Sequence, residues 1–187
     1  MDKQYIYLLM GQSGAGKTTI ANILKEVYKW RVLDSYTTRK PRYDGEVGHI
    51  FCTKEEFDGL QNKVAYTIFD GNEYCATAAQ VEESDIYVID PAGIDKFMSL
   101  YNGNKEIVLV KLIVSRTAAK KRMLQRGDNI DGVSKRIEYD KTAFDYKPLK
   151  EIDLFYDTDK LMPSVVAMLI NDDKDRREEY EKIYCSN

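Results

Sequence analysis

The octapeptide Gly11-Gln12-Ser13-Gly14-Ala15-Gly16-Lys17-Thr18 constrains this chain more than any other feature. It completes a G-x-x-x-x-G-K-[ST] pattern. An apolar run from Tyr5 to Met10 precedes it, and Ile20, Ile23, Leu24 and Val27 follow at helical spacing. Buried strand, glycine turn and helix in that order predict a parallel-sheet α/β fold. The glycines let successive backbone N–H groups converge on one point, and the start of the helix adds a positive field there. Phosphate is the ligand for such a loop. Gly11, Ser13, Gly14, Ala15, Gly16, Lys17, Thr18 and Thr19 are therefore expected to cradle ATP, with Lys17 reaching the β- and γ-phosphates and the Thr18 hydroxyl on Mg²⁺.

The rest of the chain extends the βα alternation. A short apolar run at Val32 and Leu33 follows the first helix, and strands are expected at Ile86 to Ile89, Ile107 to Val114 and Leu154 to Tyr156. Ser115 reads as the cap of a helix ending at Gly127, and Asp128 to Gly132 as a polar turn before a helix from about Val133 to Phe144. Two further helices are expected, over Leu161 to Ile170 and Asp173 to Tyr184, the second with a solvated charged face. Residues 35–84 differ, being rich in Tyr, Thr and Gly, with alternating segments at Ile50 to Thr53 and Val64 to Asp70. The expectation is a single doubly wound parallel-sheet domain. Residues 1–34 and 85–187 would form its core, 35–84 an inserted subdomain of short antiparallel strands, and about 126–137 a helical lid.

Composition removes several function classes. With 28 Lys and Arg against 31 Asp and Glu, the net charge of −3 offers no overall basic field for nucleic acid or an anionic membrane. No apolar run approaches the roughly 18 residues of a membrane span, so a cytoplasmic protein is expected, acting as a monomer or homodimer on small molecules. Cys52, Cys75 and Cys185 form no C-x-x-C, which points to reduced, inert thiols. His49 is the only histidine, which excludes a H-E-x-x-H zinc site. Asn62-Lys63-Val64-Ala65 lacks the aspartate of a GTPase N-K-x-D motif.

A second anion receptor lies at Ser35-Tyr36-Thr37-Thr38-Arg39-Lys40-Pro41-Arg42, where two arginines stand beside hydroxyl donors. Together with Gly45-Glu46, Glu55-Glu56-Phe57, Gly71-Asn72-Glu73-Tyr74, Asp90, Arg126-Gly127 and Lys135-Arg136, this segment resembles the guanylate kinase family from about Tyr5 to Ile170. The resemblance implies MgATP-dependent phosphoryl transfer to a nucleoside monophosphate. It assigns the acceptor phosphate to Ser35, Arg39, Arg42 and Tyr74, and the acceptor and metal-water region to Asp90. Arg126 and Arg136 would close over the transferred group. Lys17, Arg39, Arg126 and Arg136 are then the residues expected to carry the chemistry, since two polyanions must meet in line with positive charge between them.

The chain departs from that family at the acceptor base. Ala65 stands where the family carries its guanine-reading glutamate, Ala76 where it has Ser or Thr, and Cys75 at the neighbouring glycine. His49 falls where a phosphate-binding tyrosine usually lies, and Thr67, two residues beyond Ala65, is left to offer a hydroxyl to the base. GMP or dGMP is the expected acceptor. The alternatives are a monophosphate kinase with altered base choice, accepting a modified purine or a pyrimidine, and a phospho-ligand binding module without turnover.

Overall fold

A computed structural model of the chain describes residues 4–41, 44–145, 148 and 150–184. The chain begins with β1 (Gln4–Gly11), α1 (Lys17–Tyr28), β2 (Val32–Leu33), β3 (Ser35–Thr37) and β4 (His49–Phe51). It continues through α2 (Lys54–Gly59), β5 (Lys63–Phe69), β6 (Asn72–Thr77), α3 (Ala78–Glu83), β7 (Ile86–Val88) and α4 (Pro91–Leu100). It closes with β8 (Lys105–Ile113), α5 (Arg116–Gln125), α6 (Ile130–Ala143), β9 (Leu154–Asp157) and α7 (Pro163–Tyr184).

Five strands form a parallel sheet in the order β2-β7-β1-β8-β9. Alternate residues of β1 enter two different cores, which is why the strand is apolar throughout. Tyr5, Tyr7 and Leu9 pack with Leu24, Met123 and Val166 from α1, α5 and α7. Ile6, Leu8 and Met10 pack with Ile94 and Phe97 of α4 and Val81 of α3. Helices therefore cover both faces, as a doubly wound sheet requires. The carboxyl ends of β1 and β7 open into one crevice, the usual place for a ligand in this architecture.

A second sheet has the order β4-β3-β6-β5. It is mixed, which corrects the all-antiparallel expectation: β3 pairs antiparallel with β6, and β5 with β6, but β3 and β4 run parallel. The reason lies in the connections. The tight Asp70-Gly71 turn between β5 and β6 forces antiparallel pairing, whereas the eleven residues that separate β3 from β4 are enough chain to permit parallel pairing. Val64, Ala65 and Ala76 join the same cluster as Ile94 and Phe97, so this sheet leans on the main core.

Two helix expectations are also corrected. α6 starts at Ile130, capped by the Asn129 side chain accepting from the Gly132 N–H at 2.7 Å, so Gly132 lies inside the helix. α7 runs unbroken from Pro163 to Tyr184, absorbing both predicted terminal helices. Asp173, 8% exposed, accepts the Tyr7 hydroxyl at 2.8 Å and takes Arg177 Nε one turn later at 2.7 Å. Part of the charged stretch is thus docked on the sheet rather than solvated. Among the described residues, no helix is long and apolar enough to cross a membrane.

Candidate functional site

The glycine turn follows β1 directly. Gly14 and Gly16 adopt φ of 78° and 89°, backbone that an L side chain rarely takes, and Gly16 caps α1. Gly14 sits against α5, where a Cβ would lie 2.8 Å from the Ala119 carbonyl oxygen. Arg122 of the same helix donates to the Gly14 carbonyl at 3.1 Å and to the Thr158 carbonyl at 2.6 Å, holding the turn from behind. Gly14→Ala combines left-handed strain with a backbone overlap, and is expected to cost about 2–4 kcal/mol of stability. Urea denaturation reads this directly, and an unchanged midpoint would remove the close approach as an explanation for the glycine.

Lys17 Nζ donates to the carbonyls of Gly11 and of Gln12, the latter at 3.2 Å. Burial pushes this ammonium below its ordinary value, Asp90 and Asp140 push it back, and Arg126 and Arg136 lower it further. Such a cation gains from an arriving polyanion. Thr18 is exposed, and its hydroxyl with the Asp90 carboxylate supplies the hard oxygen ligands that Mg²⁺ prefers, so the residues present fit that ion when it arrives with phosphate. Bound there, the ion would supply charge neutralisation of the phosphate oxygens.

One cleft of about 320 Å³ joins this turn to the second sheet. The loop residues Gly11, Ser13, Gly14, Gly16, Lys17, Thr18 and Thr19 line one end of it. Ala15 does not. It is fully buried, and its N–H is spent on the Gln12 carbonyl at 3.0 Å. Ser35, His49, Thr67, Tyr74 and Asp90 line it further along, together with Arg126 and Arg136. Ser35 Oγ and His49 Nδ1 lie 2.9 Å apart in a hydrogen bond, and the His49 ring packs edge-on to Tyr74. Burial raises the pKa of the Tyr87 hydroxyl, which also hydrogen-bonds Ser35. Ala65 takes φ of 55° at a bulge between Val64 and Thr67, yet both Ala65 and Thr67 face the cleft. Ala76 is fully buried and lies off the cleft lining.

Arg39 is placed differently from the expectation. It does not line the cleft, and its guanidinium grips Glu46 in a bidentate pair at 3.1 and 2.8 Å, stacked 5.2 Å from the Phe51 ring. The hydrogen bonds to Glu46 raise its pKa, and the Tyr74 hydroxyl is a further contact. Arg42 and Cys185 lie outside the described residues. Arg126 and Arg136 both donate to Asp128 Oδ2, at 2.6 and 2.8 Å, so one carboxylate holds the two arginines together. Cys52 and Cys75 are free thiols, and burial lifts that of Cys75 to about 12.

Sequence reasoning missed Phe69, Tyr87, Gly93, Tyr139 and Asp140, all of which face the cleft. Phe69 of β5 and Tyr139 of α6 meet edge to face at 4.9 Å, closing the cleft between the second sheet and the arginine-bearing helix. Tyr139 and Asp140 stand three and four residues beyond Arg136, so helical spacing was the available signal.

No protein-family profile matches the chain. Over 84 residues it is 37% identical to a guanylate kinase of Fusobacterium nucleatum subsp. nucleatum, a stretch covering 42% of this chain and 45% of that protein. The match thus spans less than half the length of that curated relative. In fold it is similar to the crystal structure of guanylate kinase from Anaplasma phagocytophilum, with a TM-score of 0.61 at 19% identity over 95% of this chain and 88% of that one. An uncharacterised protein from Eubacterium ventriosum has the same fold at a TM-score of 0.52 and 14% identity, covering 92% and 99% of the two chains.

Proposed function

We propose that this chain, a member of the guanylate-kinase-like family, transfers the terminal phosphoryl group of ATP to a nucleoside monophosphate, giving ADP and the diphosphate. The observation that carries this reading is the continuity of the cleft: Lys17 at one end, Ser35, His49 and Tyr74 further along, together with Arg126 and Arg136. Phosphoryl transfer asks little proton chemistry of a protein. It needs two anions aligned, positive charge where the equatorial oxygens gather charge, and water kept out. Lys17 meets the donor phosphates in this reading. Ser35, His49 and Tyr74 orient the acceptor phosphate, with Arg39 setting Tyr74 and Arg42 placed there only by the sequence pattern. Arg126 and Arg136 meet the group in flight, and α6 with Phe69 and Tyr139 shuts the cleft to solvent. An intact Lys17 and Thr18 favour turnover over a binding-only module.

The acceptor wall supports a second, finer reading. Among the described residues, the carboxylates facing the cleft are Asp90 and Asp140, and Ala65 supplies only a methyl group. Guanine offers N1–H and 2-amino donors that a carboxylate accepts in parallel. Sites built on such bonds discriminate by about 10⁴–10⁵-fold. GMP and dGMP are therefore accepted, but with at least one other monophosphate within about 100-fold in kcat/KM. Steady-state assays with GMP, dGMP, AMP, UMP, CMP and TMP test both readings. Exclusive use of GMP removes the second, and ATP turnover that no monophosphate stimulates removes the first.

A further inference from the structure

The most unusual group in the cleft is an acid. α6 presents Arg136, Tyr139 and Asp140 to the cleft, and Asp140 as a residue is only 7% exposed. Its Oδ2 accepts the backbone N–H of Ser13 at 2.8 Å, across 127 residues of chain. That N–H belongs to the glycine turn read above as the donor-phosphate cradle, so in that reading a carboxylate from α6 stands where a phosphate oxygen would be received. Burial holds its carboxyl above the ordinary range, against the bonds from Ser13 and the field of Lys17 and with that of Asp90, so its charged form is maintained at a cost.

We propose that Asp140 is an internal competitor of the donor phosphates: it holds the Ser13 amide and must be displaced when the triphosphate enters. The proposal rests on the reading of the glycine turn as the donor site. One amide hydrogen serves one anion at a time, and a carboxylate left beside the β- and γ-phosphates would repel them. Because Arg136 lies one helical turn before Asp140, the displaced carboxylate releases the helix that carries a catalytic arginine. Donor occupancy and the position of α6 are then linked, and the donor's apparent affinity is lowered by the fraction of molecules in the latched state.

Isothermal titration of the full chain with ATP in EDTA, with MgATP and with inorganic pyrophosphate tests this without any turnover. Asp140→Ala is expected to bind all three roughly tenfold tighter than the unaltered chain. Asp140→Asn should gain less, since a neutral amide oxygen still accepts the Ser13 N–H. The ¹⁵N amide resonance of Ser13 should shift in Asp140→Ala before any ligand is added, and denaturation curves establish that both variants are folded. Unchanged or weaker binding overturns the proposal, as does a loss confined to the MgATP titration, which would assign Asp140 to the metal. Absence of binding in every form, the unaltered chain included, would instead strike at the donor-site reading.

Discussion

Replacing Lys17 by methionine is expected to lower turnover by about 10³-fold or more while leaving the protein folded. The two effects come from one cause. In the proposed reaction the ammonium would face, in the transition state, oxygens gathering negative charge, where removing a single donor or cation costs on the order of 10²–10³ or more in rate. The same half-buried ammonium donates to the backbone carbonyls of Gly11 and Gln12, and its loss of solvent holds its pKa below the ordinary value. A lowered folded pKa means that the unfolded chain holds the proton more tightly, so at neutral pH the lysine subtracts stability, and the deficit fades as pH rises toward its unfolded value. Methionine relieves that deficit and gives up two hydrogen bonds, leaving stability within about 1 kcal/mol of the parent. Steady-state kinetics and urea denaturation of the variant at pH 7 and pH 9 check both halves. Retained turnover would remove Lys17 from the transition state, and a large destabilisation would show that its bonds to Gly11 and Gln12 hold the loop.

Arg39→Ala should be the most damaging substitution in the second sheet. Its side chain and that of Glu46 are 12% and 6% exposed, and the pair is bidentate. Removing one member of a buried ion pair costs about 3–5 kcal/mol, most of it the desolvated charge left behind. Tyr74, which lines the cleft, loses its guanidinium neighbour at the same time. The variant is therefore expected to raise KM for the acceptor while leaving the dissociation constant for ATP nearly unchanged, and to lower stability by about 3 kcal/mol. Adding Glu46→Ala to it should recover part of the stability and none of the acceptor affinity, because the surplus charge goes but Tyr74 stays unsupported. Equal loss of ATP and acceptor binding would show that Arg39 serves the whole cleft rather than its second-sheet end.

The extent to which the site was legible follows the range of the interactions that build it. Strand, turn and helix around Gly11 to Thr18 were readable to within a residue or two, because glycine conformation, apolar run and helical period all act over neighbouring positions. Ser35, His49, Thr67 and Tyr74 were found by pattern and do share the cleft. The pattern could not say that Arg39 pairs with Glu46, because no local preference sets a contact between two side chains seven residues apart outside a regular element. The continuity of α7 was hidden for a similar reason. Asn171-Asp172-Asp173 reads as a break until Asp173 is seen to receive Tyr7 from the sheet.

Local chemistry by itself determined the doubly wound architecture and the glycine turn between β1 and α1, since both are written in residue spacing and backbone preference, whereas Arg126 and Arg136 were expected at the cleft from the family resemblance alone. Only the tertiary structure decided which charges face one another. It set Asp140 on the Ser13 amide, Asp128 between Arg126 and Arg136, and Phe69 against Tyr139. Electrostatic and ring contacts of this kind depend on distances between elements far apart in the chain, and periodicity along one element carries no information about them.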